Sequence, residues 1–204
     1  SPYLARRPVK KTCYIVIAGD RGLAGGYNAN LFKLVAQAAE GKECCVLPVG
    51  KKALEHFQHR GMSILTEAFS QVEDVTVSDC FSMSRLVAQG FLKGEFDEIH
   101  LCYTRFESML TQTAKTVQRL PMAAPKPRED KRPRSLMLYE PSSEAVYDAI
   151  VPEYFAGLIW GAVCESEASE QAARRTAMDA ASKNAGEMIE NLNLRYNRAR
   201  QAAI

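Results

Sequence analysis

Residues 12–40, TCYIVIAGDRGLAGGYNANLFKLVAQAAE, contain the pattern that decides the fold of this chain. The first seven residues are β-branched, aromatic or small, which is typical of a short buried strand. Residues 28–40 repeat apolar side chains at helical spacing, with Asn28 or Asn30 near the expected helix start. Between them lie four glycines: Gly19, Gly22, Gly25 and Gly26. Because a strand, a glycine-rich turn and a helix often hold a phosphate group, the turn raises the question of a nucleotide.

The spacing of these glycines argues against a nucleotide site. The dinucleotide fingerprint is G-x-G-x-x-G, whereas the order here is G-x-x-G-x-x-G-G, and the Gly-Lys-Ser/Thr of a P-loop does not occur in the sequence. We therefore expect a structural loop and no cofactor. In this loop the glycines permit a tight turn, Asp20 caps it, and Arg21 pairs with Asp20 or with the backbone. The residues assigned to the loop are Asp20, Arg21, Gly22, Gly25 and Gly26.

The next hundred residues alternate between strand-like and helix-like runs. The strand-like runs are 44–49, 62–65 and 97–104, and the helix-like runs are 51–60 and 78–94, the latter with Ser78 or Asp79 as its cap. This alternation predicts an α/β fold, a Rossmann-like layered and mostly parallel sheet.

Two further segments complete the predicted body. A strand at 109–120 follows the previous strand too closely for a parallel crossover, so we expect an antiparallel hairpin at one edge of the sheet. Residues 121–135 contain four prolines and many charges, which predicts a solvated connection.

The remainder of the chain favours one long helix. Pro152 suits the first turn of a helix, so we expect the helix to start or break near it and to run to the chain end. At 1.5 Å per residue its length would be about 80 Å, far more than the width of a body of this size. The predicted division is an α/β globular body at 1–141 and a long C-terminal coiled-coil helix at 142–204.

A coiled-coil seam is visible along this helix. Its members alternate at spacings of four and three residues: Met178, Ser182, Ala185, Ile189, Leu192, Tyr196, Ala199 and Ala203. Since no second long helix is predicted in the chain, the partner helix would come from another polypeptide, a second copy, or sequence missing before Ser1. Beyond Glu190 the charged residues are all arginines, which suits contact with acidic loops of another protein.

Composition narrows the classes of function. The net charge of +2 provides no strong field for nucleic acid, and no apolar run approaches the roughly 18 residues that span a membrane. We expect neither nucleic-acid binding nor direct membrane insertion. The six cysteines contain no Cys-x-x-Cys and no Cys/His cluster with metal-ligand spacing, so reduced thiols and no metal site are expected. No catalytic motif is found in the sequence.

Two stretches carry a resemblance to a known family. DRGLAGGYNANLFK (20–33) resembles the loop-and-helix signature of the gamma subunit of rotary ATP synthases, in its bacterial form. SEQAARRTAMDAASKNAGEMIENLNLRYNRARQAAI (169–204) resembles the C-terminal helix signature of the same family. Compared with that family, we expect the N-terminal helix and the last part of the C-terminal helix to be missing from these 204 residues.

The resemblance implies a non-catalytic rotor. In the family the gamma subunit is a central shaft that couples ion flow through the membrane ring to ATP synthesis or hydrolysis in the alpha–beta head. The implied partners are the alpha and beta subunits, the epsilon subunit and the membrane c-ring. The implied location is peripheral, on the cytoplasmic face of the bacterial plasma membrane.

Only a few residues can be matched to family contacts. Arg174, Arg200 and Gln201 match positions that meet the catalytic head, and Tyr139 and Glu140 match the region that faces epsilon and the ring. A second hypothesis remains beside the rotor: a nucleotide-binding α/β enzyme with a helical dimerisation tail.

Overall fold

The structure, a computed structural model, describes residues 1–123 and 138–203. In these residues five strands form one sheet in the order β3-β2-β1-β4-β5. The strands are β1 (Lys11–Ile17), β2 (Glu43–Val49), β3 (Ser63–Ile64), β4 (Glu98–Phe106) and β5 (Gln112–Leu120). The first four are parallel and β5 is antiparallel to β4 at the edge, which confirms the predicted sheet and edge hairpin. Most of the connection predicted at 121–135 lies outside the described residues.

Helices cover both faces of the sheet. Those in the described residues are α1 (Tyr27–Ala39), α2 (Lys51–His59), α3 (Val77–Lys93) and α4 (Ser143–Ala202). In β1, Cys13, Ile15 and Ile17 pack in the core shared with α3 and α4, whereas Tyr14 and Val16 pack in the core shared with α1 and α2. A parallel strand buried on both faces needs apolar side chains on both, which is why β1 is a continuous apolar run from Cys13 to Ile17.

Two helix starts differ from the prediction. Asn28 does not cap α1; its side-chain oxygen accepts a hydrogen bond from the Gly19 N–H at 3.0 Å and so ties the helix to the end of β1. Helix α3 is capped by Thr76, whose side chain accepts from the Asp79 N–H while Asp79 accepts from the Thr76 N–H. This reciprocal capping box places Asp79 at the third helical position.

The prediction that the long helix starts or breaks near Pro152 is wrong. Helix α4 begins at Ser143, capped by Ser142, and runs without interruption for 60 residues, or about 90 Å. An interior proline costs roughly 3 kcal/mol, because its ring clashes with the preceding turn and removes a hydrogen bond. Here Ser84 of α3 donates a hydrogen bond to the Pro152 carbonyl at 2.6 Å, and Val151 and Phe155 are buried on either side. Packing against the body thus outweighs the local preference of proline.

Burial divides α4 into two parts. Its buried residues end at Ala172, and every residue from Met178 to Ala203 is exposed. The predicted seam lies entirely in this exposed part, with Ile189, Leu192 and Tyr196 exposed by 59, 60 and 67%. Within residues 1–123 and 138–203, no helix combines the length and hydrophobicity required to cross a bilayer.

Candidate functional site

The region where α4 leaves the body lies at the carboxyl ends of β1 and β4. These neighbouring strands are the place where the strand order reverses direction, and open α/β sheets usually bind ligands in the crevice beside such a reversal. Gly19 follows β1, Thr104 lies near the end of β4, and α4 crosses above both. We call this region the neck.

A carboxylate of α4 occupies the space over the glycine-rich loop. Glu170 is only 5% exposed, and a Cβ built on Gly19 would lie 2.5 Å from its carboxyl carbon. The Arg174 guanidinium forms an ion pair with Glu170 and donates a further hydrogen bond to Gln171 at 3.0 Å. The Glu170 side chain therefore fills the space over Gly19 that a bound phosphate would need.

Hydrogen bonds join α4 to two other parts of the body at the neck. The Tyr27 hydroxyl, at the start of α1, donates to the Ser166 carbonyl at 3.0 Å. The Thr104 N–H donates to the Ser166 hydroxyl at 3.3 Å, and the Ser169 hydroxyl donates to the Thr104 carbonyl at 3.2 Å. Burial raises the pKa of Tyr27 well above its usual value, so the phenol stays neutral and remains a donor.

Asp20 and Arg21 bind parts of the body outside their own turn. The Asp20 carboxylate accepts hydrogen bonds from the N–H groups of Lys51 at 2.8 Å, Val72 at 3.0 Å and Glu73 at 3.1 Å. It therefore caps the start of α2 rather than the glycine turn. Arg21 pairs with Glu73 at 2.8 Å, not with Asp20. Both residues act here as links between the loop and the neighbouring segment.

The glycines of the loop differ in what they require. Gly25 has a positive φ of 58°, Gly26 precedes the first residue of α1, and a Cβ on Gly22 would meet no atom within 4 Å. A more demanding position, not recognised from the sequence, is Gly50, where φ is 98° and a Cβ would overlap the Ala18 carbonyl oxygen. In the sequence, its position between a predicted strand and a predicted helix could have indicated a tight turn that needs glycine.

A half-open cavity of about 300 Å³ lies beside the neck. It is bounded by the glycine-rich loop at Gly25 and Gly26, the β4–β5 hairpin at Leu110 and Gln112, and α4 near Ala177. None of its lining residues carries a charge, so no cationic side chain is available there to bind a phosphate group. In the described residues, no three His, Cys, Asp or Glu side chains are grouped so as to hold a metal ion.

The residues matched to partner contacts fall in three places. Arg200 and Gln201 are exposed at the far end of α4, and Tyr139 and Glu140 are exposed just before its first residue. Arg174 lies between them, at the neck, with its guanidinium turned onto Glu170. The structure therefore separates these positions along the helix rather than gathering them into one site.

Fold and neck together define a class of protein: an α/β body carrying a projecting helix, whose exposed surfaces are suited to contacts with other chains. The sequence profile of the family described as ATP synthase matches residues 1–204. A gamma chain of ATP synthase from Ruminococcus albus is 44% identical, over 93% of this chain and 68% of its own length. A sodium-ion-specific gamma chain from Acetobacterium woodii is 40% identical, over 99% of this chain and 73% of its own length. The chain belongs to the family of ATP synthase gamma chains.

Solved structures agree on the fold. In the rotor of the Euglena gracilis mitochondrial ATP synthase, one chain superposes with a TM-score of 0.68 at 21% identity, covering 96% of this chain and 75% of that one. At this level of identity the likeness establishes the shared architecture of sheet and long helix.

Proposed function

We propose that this chain is the central shaft of an ATP synthase, which couples ion flow through a membrane ring to ATP synthesis or hydrolysis in the alpha–beta head. Its membership of the gamma-chain family supports this role. The observation that carries it is the exposed part of α4. Its 25 residues from Met178 to Ala202 are all exposed, a length of about 38 Å at 1.5 Å per residue.

The chain itself is proposed to be non-catalytic. The crevice at the carboxyl ends of β1 and β4, where an α/β enzyme would hold a nucleotide, contains Glu170 held by Arg174. The adjoining cavity has no charged lining. These features disfavour the second hypothesis, a nucleotide-binding enzyme with a dimerisation tail.

Partner contacts are proposed at the two ends of α4. The tip with Arg200 and Gln201 would meet the catalytic head, and the foot with Tyr139 and Glu140 would face epsilon and the c-ring. Residues 1–141 act as the body and residues 142–204 as the shaft. The buried part of α4 packs on the body and thereby attaches the shaft to it. The complex would hold the chain peripherally, on the cytoplasmic face of the bacterial membrane.

The seam provides a matched test of the shaft role. Leu192 lies in the seam and Leu194 lies outside it, yet they are almost equally exposed, at 60% and 57%. The chain is co-expressed with alpha, beta and epsilon subunits, and ATP hydrolysis by the purified complex is measured. Leu192→Ser should impair assembly or hydrolysis, because a seam position contacts a partner helix, and Leu194→Ser should not.

Two results would contradict this proposal. One is equal behaviour of the two leucine variants, since the seam would then have no special role. The other is stoichiometric binding of ATP, ADP or NAD by the isolated chain in a calorimeter, which would favour the enzyme hypothesis.

A further inference from the structure

The neck holds α4 differently from the rest of the body. Below the neck, the buried side chains of α4 are apolar, and they pack against α3 and the sheet: Val151, Phe155, Ala156, Ile159, Ala162 and Val163. Apolar contacts are non-directional, whereas hydrogen bonds fix the direction of the groups that they join. At the neck, the buried positions Ser166, Ser169 and Glu170 are polar.

Polar contacts at the neck reach different parts of the body within little more than one helical turn. Ser166 accepts from Tyr27 at the start of α1, Ser169 donates to Thr104 in β4, and Glu170 packs on Gly19 after β1. Hydrogen bonds depend on angle as well as distance, so contacts made in several directions oppose a twist of the helix about its own axis.

We infer that the neck is the joint through which torque passes between the body and the shaft, with Tyr27, Ser166, Ser169 and Glu170 as its positioning residues. This inference rests on the proposed rotor function. Arg174 contributes by holding the Glu170 carboxylate in place over Gly19. Its charge is engaged within the joint, in contrast to the exposed arginines beyond Glu190.

Loss of the joint has a mechanical consequence. The helix between Val163 and Ala172, nine residue steps or about 14 Å, would then be held to the body by Ala172 alone. A helix that is held at fewer points is more easily twisted. Rotation without load needs little stiffness, but rotation that drives a reaction against a load stores energy in the twist.

The test uses the complete ATP synthase in vesicles, with variants in its gamma chain. The main variant combines Ser169→Ala with Glu170→Gln, and the milder one is Tyr27→Phe, which removes a single hydroxyl with little change of shape. Glu167→Gln is the control, since Glu167 is an exposed glutamate on the same helix. ATP hydrolysis by the detached head and stalk reports rotation without load, and ion-driven ATP synthesis in vesicles reports rotation under load.

The ratio of synthesis to hydrolysis should fall severalfold in the double variant, less in Tyr27→Phe, and not in Glu167→Gln. Hydrogen exchange at the Thr104 amide should also become faster in the double variant, because its acceptor on Ser166 is less firmly held. A parallel fall of both activities in Tyr27→Phe would overturn the inference, since it would assign these contacts to folding or assembly alone. An unchanged ratio in the double variant would overturn it as well. If the unaltered chain supported neither activity, the proposed rotor function would fail instead.

Discussion

The carboxyl group of Glu170 lies over the Cα of Gly19, so close that a side chain beginning at position 19 would meet the carboxyl carbon at 2.5 Å. The two residues are 151 positions apart in the chain. Glycine at position 19 is therefore favoured by the contact with α4, which lies far along the sequence, and not by the conformation of its own turn.

Replacing Gly19 by Ala should lower the free energy of unfolding by roughly 1 kcal/mol. The cost is moderate because Glu170 ends in a flexible side chain that can swing away, at the expense of its ion pair with Arg174. Gly22→Ala is the control in the same loop, since a Cβ there meets open space. Urea unfolding of both variants measures the difference. Equal stabilities would mean that Glu170 does not occupy the space over Gly19.

Substitution of Gly50 by Ala should be more damaging, by roughly 2–4 kcal/mol. Its φ is 98°, and the new Cβ would overlap the carbonyl oxygen of Ala18, a backbone atom that cannot rotate away. Gly61→Ala is the control for the cost of the backbone conformation alone, because its φ is 65° but no atom lies within 4 Å of a Cβ. We expect a loss of about 1 kcal/mol in that control. Thermal unfolding that ranked Gly61→Ala as the worse variant would contradict the described contact.

The capping box of α3 predicts a dependence on pH. The hydroxyl and N–H of Thr76 both donate to Asp79, and these hydrogen bonds hold the pKa of Asp79 below its usual value. A carboxylate whose pKa is lower in the folded state contributes stability above its unfolded pKa of about 4, and this contribution is lost as the pH falls through the folded pKa.

Asp79→Asn should therefore be less stable than the unaltered chain at pH 7, and the gap should narrow in acid. Asp74→Asn, at a nearby exposed position outside the box, is the control. Urea unfolding at pH 7 and at about pH 3 gives the comparison. A gap for Asp79→Asn that stayed constant between the two pH values would rule out its ionised carboxylate as the source.

Two isoleucines of α4 test the division between its buried and projecting parts. Ile159 is fully buried and Ile189 is 59% exposed. Ile159→Ala should cost roughly 2–5 kcal/mol, because it removes buried apolar surface and leaves a cavity. Ile189→Ala should leave the melting temperature of this chain nearly unchanged. A comparable loss in both variants would show that the projecting part packs against something in the isolated chain.

Local pattern predicted the elements of the body well. The alternation of apolar runs anticipated the mostly parallel sheet, and the short link before β5 anticipated its antiparallel edge. The helix starts were less predictable. Thr76 was missed because several residues near the start of α3 are capable of capping, and backbone geometry selects one of them. The helix start predicted at Pro152 was wrong because the preference of proline for the first turn was outweighed by the burial of its neighbours.

The sequence by itself determined the α/β class, the membership of the gamma-chain family and the long helix with its seam, since periodicity and motifs are properties of neighbours along the chain. Tertiary structure alone decided that Glu170 lies over Gly19, that Asp20 caps α2, and that Arg174 turns inward at the neck. Each of these contacts either joins segments that are distant in the sequence or selects the direction of a side chain, and only the packed fold decides which. Burial, and not spacing, determines where a charged group must find a partner.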